Sequence, residues 1–420
     1  MRVCFLSRRY FPAISGMSVY ADNLIRQLAG MGHDVTMISQ YRDDPQGTQV
    51  YGGGPPPEVP GVRVIGLRSH GEEEAAHDRP ADFERDLAQM VDTVMAEHAR
   101  APFDVIHGQY AYPTGLAAME ASHRLGVPNV VSIQGGDGHW VGLCCDTHKD
   151  AMTAVLGGAM ALIIGCASFA GEVQGNHGTP PDRFTIIPGA VDTQRFSPVG
   201  DRVLGSLHEV PRLLYHGRVD RRKGALEFLH AAADLAAECE IEVLVSGIGP
   251  DLQAARDLAA SLDLPVRFLG YAGYDIAPQV YRQGDIFVSP THAEGFSNTI
   301  LEAMASGLPV VSCDAVGVKD CLRDGENGLM LPISDHDALV SGLRRILDDA
   351  DLRQRLAETG LKEARTRYAW PVVASQIAEI YHTLQGAVVP DGWTEVYDTG
   401  ARDLAHADPS CRFRAAPHLL

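Results

Sequence analysis

Two stretches in the second half of this 420-residue chain carry charges where a parallel α/β sheet would hold a ligand. His216-Gly217-Arg218 closes an apolar run, and Arg221-Arg222-Lys223-Gly224 leads from it toward a helix-like segment. The chain contains only four lysines, so Lys223 stands above the compositional background. A strand-to-helix turn bearing Arg and Lys suits a diphosphate, because the cations and the helix N-terminus all attract negative charge. A solvated basic loop would contain the same residues and is the competing explanation.

The second stretch is SPTHAEGFSNTILEAMASGLPVVS, residues 289–312. Glu294 follows an apolar run, and Gly295-Phe296-Ser297 leads into a helical pattern that stops at Gly307 before Pro309. The amides of Gly295, Phe296 and Ser297 could point at phosphate oxygens, with Gly295 allowing close approach. Seven residues separate Glu294 from Glu302, which places one carboxylate in the loop and the other about one turn into the helix. Carboxylates at these two levels could hold hydroxyls at two points of a sugar nucleotide. Glu302 also has a structural explanation, because Thr299-x-x-Glu302 reads as a capping box. Glu294 has no comparable structural role.

Metal chemistry is less favoured. His139-x4-Cys144-Cys145-x2-His148 can be drawn as a metal site, but adjacent cysteines are poor spacing for tetrahedral zinc. Asp335-His336-Asp337 and Asp349-Ala350-Asp351 fall in late helical segments and read as caps or solvated faces. No metal ligand set and no cofactor are expected. None of the eight cysteines forms a C-x-x-C pair, and most lie in apolar runs, as buried thiols of a reducing compartment do.

These residues need elements to position them. Strand-like runs VCFLS, DVTMIS, VRVIGL, DVIHG, NVVSIQ, ALIIGC and FTIIPG alternate with helical patterns in the first half. RLLYHG, IEVLVSG, VRFLG, DIFVSP, PVVSC and GLMLP do so in the second. One helix is predicted over 18–29, with Tyr20, Leu24 and Leu28 on one face and Gly30 and Gly32 as its stop. Continuous apolar strands separated by helices predict parallel sheets covered on both faces, and the length predicts two such cores. The fold class is therefore α/β, with two Rossmann-like doubly wound domains. The expected boundaries are 1–200, 201–368, a terminal helix over 369–386 and a flexible tail over 387–420, with a linker near 197–210. GGGPPP and the acidic EEE within 41–82 read as mobile loops.

Charge narrows the partners. The chain has 35 basic and 54 acidic residues, a net of −19, and neither half is basic, which disfavours nucleic acid. Arg8–Arg9 would suit at most a weak peripheral contact with a membrane. No signal-peptide pattern or membrane-spanning run is present, so a cytoplasmic location is expected.

EGFSNTILEA resembles the E-x7-E motif of the family 4 retaining glycosyltransferases, and HGRVDRRKG resembles that family's G-R-x-x-x-x-K-G. FPAISGMSVYADNLIRQLAGMGHDVTMIS, DVIHGQ, IIPGAVDTQRFSP and DGENGLML add weaker matches in the same order, covering residues 1 to about 385. The resemblance implies a GT-B fold whose domains face each other across a cleft, the acceptor mainly on the N-terminal side and the donor on the C-terminal side. It implies that Arg218 and Lys223 bind the donor diphosphate after Gly217, that Glu294 contacts the transferred sugar and that Gly295, Phe296 and Ser297 meet the phosphate or sugar. Glu302 would hold the ribose, Gly16 would sit in a loop closing over the diphosphate, and the last helix would return to the first domain.

The chain departs from the family pattern on the acceptor side. Where the family often has T-x-H-G-x-D near the sugar, this sequence reads Ser132-Ile133-Gln134-Gly135-Gly136-Asp137. Gln134 can hydrogen-bond but cannot take a proton. His107 is followed by Gln109 where a second histidine is common, the N-terminal glycine pair is reduced to Gly16-Met17, and His139 could substitute for the missing histidine or serve as a neutral hydrogen-bonded residue. The expected reaction is metal-independent, retaining transfer of a hexosyl group from a UDP-, GDP- or ADP-linked donor to a saccharide, lipid-linked or small-molecule acceptor. Polysaccharide biosynthesis would use such a step. A silent nucleotide-sugar-binding subunit and a disaccharide phosphorylase or synthase are the alternatives.

Overall fold

The computed structural model describes residues 1–12, 15–42, 53–70, 83–200, 202–391, 411 and 413. The acidic 72–74 run lies outside them. The chain divides into two units, Met1–Ile187 with Ala374–Leu420, and Pro188–Val373.

In the first unit all seven strand-like runs become strands of one sheet. These are β1 (Arg2–Ser7), β2 (Asp34–Tyr41), β3 (Val62–Arg68), β4 (Val105–Gln109), β5 (Asn129–Ile133), β6 (Ala161–Ile164) and β7 (Phe184–Ile186). Their order is β3-β2-β1-β4-β5-β6-β7, and every pairing is parallel. β4 and β5 are buried at every position, which is why their sequences lack a polar–apolar alternation, and the polar side chains they do carry, such as His107 and Asn129, are hydrogen-bonded inside the unit. The strand order reverses between β1 and β4, so the ligand crevice of this sheet lies beyond Ser7 and Gln109.

The helix after β1 runs over Gly16–Gly30, two residues earlier than its apolar periodicity indicates. Ser15 and Ser18 form a reciprocal capping box that satisfies the first amides, a contribution of about 1 kcal/mol. Tyr20, Leu24 and Leu28 are buried as the periodicity predicts, and Gly32 closes the turn at φ +88°.

The second unit contains β8 (Arg212–His216), β9 (Glu242–Ser246), β10 (Val266–Gly270), β11 (Ile286–Ser289), β12 (Val310–Cys313) and β13 (Leu329–Leu331). Their order, β10-β9-β8-β11-β12-β13, repeats the winding of the first sheet, again all parallel. Alternate residues of β8 enter opposite cores. Leu213 and Tyr215 pack in the core that includes Phe228 and Leu343, while Leu214 packs with Phe287, Ile300 and Met304. The reversal falls between β8 and β11, so the two charged stretches, which follow these strands, flank the crevice of this sheet.

The boundary differs from the sequence-based one. Val191 and Phe196 belong to a core of the second unit, and the Val191 amide donates to Tyr368 O at 2.8 Å. The polar stretch expected as a linker is tied to the same unit, because Arg202 pairs with the buried carboxylate of Asp285 and the His208 amide donates to it at 3.0 Å. The polarity of 197–210 reflects surface position rather than a domain junction.

The terminal helix is Trp370–Leu384, and from Ala374 onward it belongs with the first unit. Of residues 387–420, expected as a flexible tail, most lie outside the described residues. Cys411 and Phe413, however, are only 2% and 1% exposed. Among the described residues no helix is long and apolar enough to cross a membrane.

Candidate functional site

The turn after β8 sorts its cations by partner. Asp220 caps the short turn Arg221–Lys223 by accepting from the Arg222 amide at 2.9 Å, and it also binds the Arg222 guanidinium at 2.8 Å. The Arg222 hydrogen bond is the main reason its carboxyl is held down to about 2. Arg221 is committed to Asp251 at 2.9 Å. Arg222 and Arg221 therefore build the turn. Arg218 lies 3.6 Å from Asp220, with its side chain one-third exposed.

Lys223 reaches across the crevice. Its Nζ lies 2.7 Å from Glu294 Oε2 and donates to Ala293 O at 3.2 Å. An ammonium has three donors, so one proton remains for a further acceptor. Two glycines allow these loops to meet. A Cβ on Gly224, at φ +75°, would stand 2.0 Å from Pro290 O, and one on Gly317, at φ +77°, would stand 2.2 Å from Glu294 O. Opposite Gly317, the Glu294 amide donates to Val316 O at 2.9 Å, which fixes the loop that carries the carboxylate.

The helix beyond this loop spans Asn298–Ala305, and its N-cap is Ser297. Thr299 therefore sits inside the first turn, and the capping box proposed for Glu302 does not form. Glu302 instead accepts from Tyr281 Oη at 2.8 Å, and burial pushes its carboxyl up to about 7. Tyr281 is fully buried and packs edge-on against His216, whose ring burial holds down to about 4. Phe296 packs its ring against Tyr368, so the backbone rather than the side chain is the polar part of this position.

The acceptor-side candidates divide in two. Gln109 Nε2 donates to Met17 O at 3.0 Å and to Gln134 Oε1 at 2.8 Å, which joins the Gly16-Met17 loop to the ends of β4 and β5. His107 does not join them. It is fully buried, with Nδ1 2.5 Å from Tyr381 Oη and Nε2 2.6 Å from Ser132 Oγ, and burial pushes its ring down to about 3. Both nitrogens are engaged within the core, so His107 has no atom to offer an acceptor. Asp137 is also fully buried and accepts from the amides of Ala111 at 2.9 Å, Gly135 at 2.8 Å and Gln134 at 3.1 Å. Its role is to hold the 134–137 turn. His139 is 6% exposed, with Nδ1 2.7 Å from Glu172 and its ring against Phe169. That geometry fits the structural, hydrogen-bonded alternative rather than a replacement sugar contact. Arg8 and Arg9 are 3% and 4% exposed, so they form no surface patch for a membrane.

Comparisons with known proteins bear on this arrangement. Residues 210–349 match the model described as "Glycosyl transferases group 1", and residues 15–190 match "Glycosyl transferase 4-like domain". A D-inositol 3-phosphate glycosyltransferase of Frankia alni is 30% identical over 409 residues, covering 89% of this chain and 96% of that protein. The chain belongs to the family 4 glycosyltransferases. A phosphatidyl-myo-inositol mannosyltransferase of Mycobacterium tuberculosis is 34% identical over 208 residues, 48% of this chain and 54% of that one.

Among solved structures, a sucrose-phosphate synthase from Thermosynechococcus elongatus superposes with a TM-score of 0.75 at 22% identity, covering 91% of this chain and 98% of the other. Anabaena HepE, solved with UDP and glucose, gives 0.69 at 17% identity, covering 91% and 100%. The glycosyltransferase thus has the GT-B fold of two Rossmann-like domains.

Several parts of this glycosyltransferase escaped the sequence reading. Tyr381 completes the surroundings of His107 from 274 residues away, and nothing local to DVIHG marks it. The Lys223–Glu294 pair joins two separately noticed motifs that no spacing rule connects. Gly317 had a usable signal, since a glycine shortly after an apolar strand often marks a close backbone approach.

Proposed function

We propose that this glycosyltransferase is retaining and moves a hexosyl group from a UDP-, GDP- or ADP-linked donor to a hydroxyl of a saccharide, lipid-linked or small-molecule acceptor. The observation that carries the reading is Lys223, poised 2.7 Å from Glu294 at the point where the second sheet reverses. A donor pyrophosphate here would take the remaining Lys223 proton, the Arg218 guanidinium and the amides of Gly295, Phe296 and Ser297. Glu294 would face the sugar hydroxyls and Glu302 the ribose. Gln134, held by the buried Gln109, is the polar side chain left to meet an acceptor.

In a same-face transfer the acceptor hydroxyl attacks the anomeric carbon as its bond to the diphosphate breaks, and the hydroxyl proton passes to the departing phosphate oxygen. Negative charge grows on that oxygen. Fixed cations and amides aimed at it lower the barrier without a dedicated base. Support for the donor class comes from HepE, whose structures contain UDP and UDP-glucose. We further propose that transfer needs no divalent metal. Asp335 and Asp349, which head the two D-x-D strings, cap helices by accepting from the amides of Ala338 and Leu352. A cytoplasmic location suits the free thiols of Cys4, Cys166, Cys313 and Cys321, and polysaccharide synthesis would supply suitable acceptors.

The test has three readouts. Thermal shift against UDP-, GDP- and ADP-sugars selects the donor by mass action. NMR of the product then gives the anomeric configuration, and transfer is measured in chelator-treated buffer with and without Mg²⁺ or Mn²⁺. Retention and a rate indifferent to added metal are expected. An inverted product, or activity restored only by Mg²⁺ or Mn²⁺, would overturn the mechanism. Unchanged turnover in Arg218→Ala, Lys223→Ala and Glu294→Ala alike would remove the site.

A further inference from the structure

Outside the site described above, the first unit brings four metal-ligating side chains to one place. Cys144, Cys145, His148 and Cys411 offer ligand atoms that all lie within 4.8 Å of one another. Cys144 Sγ is 3.1 Å from His148 Nδ1, and Cys411 Sγ is 3.5 Å from the same nitrogen. Cys145 is the N-cap of the helix Asp146–Gly158, and His148 lies in its first turn. All four belong to the same unit.

We propose that these four residues form a structural zinc site that staples the C-terminal segment to the first unit. Three thiolates and one imidazole are the donor set of a closed Cys₃His centre. With Zn–S ~2.3 Å and Zn–N ~2.0 Å, tetrahedral ligands stand roughly 3.5–3.8 Å apart, so the Cys144–His148 contact of 3.1 Å would lengthen slightly and the widest separations, up to 4.8 Å, would contract by about 1 Å. Four donors this close have room for a single ion and not for a multi-iron cluster.

The surroundings favour a closed site over a catalytic one. His148 and Cys411 are buried, and Cys144 and Cys145 are half-buried. The His148 ring lies among aromatic rings, 4.7 Å from Tyr112, 6.0 Å from Phe413 and 6.2 Å from Phe83. Such a shell keeps water from a fourth coordination position. Nε2 of His148 finds no hydrogen-bond partner among the described residues, so the ring is oriented by what Nδ1 binds. A buried imidazole aimed by Nδ1 at two sulfurs is the arrangement a soft cation would complete.

A zinc ion here runs against the expectation of no metal in this segment. His139, drawn as a ligand from sequence, is committed to Glu172. Its place is taken by Cys411, 263 residues beyond His148, which no local spacing rule could supply. Zinc here would fix the start of the helix Asp146–Gly158, shortly after the turn that carries Gln134. The site stands independently of the donor-site reading, because it involves neither the second unit nor the transfer step.

The test is metal analysis of the full chain purified without chelator. One zinc per chain is expected, with Co²⁺ substitution giving thiolate-to-cobalt charge-transfer absorption. Cys411→Ser and His148→Ala should each lose the metal, while Cys239→Ser, at an exposed cysteine outside the cluster, should keep it. Should the cluster variants fail to fold, the wild-type chain supplies the second measurement. Stripping with a strong chelator should lower Tm, and Zn²⁺ alone should restore it. Full zinc occupancy in Cys411→Ser would overturn the proposal. So would a chain that binds neither Zn²⁺ nor Co²⁺, or thiol titration showing a disulfide among Cys144, Cys145 and Cys411.

Discussion

Lys223 Nζ and Glu294 Oε2 lie 2.7 Å apart, joining the turn after β8 to the loop after β11 at the reversal point of the second sheet. The pair is partly exposed, its side chains at 33% and 18%, so its direct contribution to stability is small, about 0–1 kcal/mol after screening. Its value is positional. It holds a cation and a carboxylate ready while keeping one ammonium proton uncommitted.

Lys223→Ala is expected to lower kcat by about 10²–10³, the scale for removing one donor aimed at developing charge. Tm should move by only a few degrees. Steady-state kinetics with denaturation monitored in parallel separates the two effects. A large loss of stability with little change in kcat would make the pair structural.

Glu302 should give donor binding a pH dependence. Its carboxyl is raised by burial from about 4.5 to about 7, so the folded protein favours the protonated form. The stability tied to that proton is complete below about 4.5 and is lost as pH rises through about 7. If the carboxylate holds the ribose, donor affinity should rise over the same window. Isothermal titration across pH should show this in the wild type and a flat profile in Glu302→Gln.

Gly317→Ala should disturb activity without touching any functional side chain. The new Cβ would meet Glu294 O at 2.2 Å, at a backbone φ of +77°. The Glu294 loop must then shift, and a misplacement of about 1 Å can cost roughly 10²-fold in rate. A fall in kcat with a Tm drop of several degrees is expected. Normal kinetics would show that the position of Glu294 is not critical.

Tyr381→Phe should destabilise the first unit without altering the pH profile of transfer. It leaves His107 Nδ1 without its buried partner, at a cost of about 1–3 kcal/mol. The His107 ring is held from about 6.5 down to about 3. Its contribution to stability is therefore present above about 6.5 and lost as pH falls toward about 3. Thermal melts from neutral to acid pH and the kcat profile together check this. A shifted kcat profile would return His107 to the chemistry.

The fold was legible because buried parallel strands are continuously apolar. All thirteen strand-like runs became strands, and their alternation with helices gave both doubly wound units. Boundaries were less legible, since the polar stretch at 197–210 is held to the second unit by Asp285, a partner distant in sequence. Within the site, Glu294 and Lys223 stood out as charges placed after apolar strands. The separation of Arg221 and Arg222 from Lys223 required their partners, Asp251 and Asp220, to be seen in place. His107 and Asp137 were over-read, because residue type and position do not reveal that a polar side chain is buried with its hydrogen bonds already made.

The most direct test of the central claim is a crystal structure of the full chain with the nucleoside diphosphate chosen by thermal shift. The pyrophosphate is expected within hydrogen-bonding distance of Lys223 Nζ and the amides of Gly295, Phe296 and Ser297, with Arg218 turned toward it. A pyrophosphate bound away from both the 218–223 turn and the 294–297 loop would contradict the account.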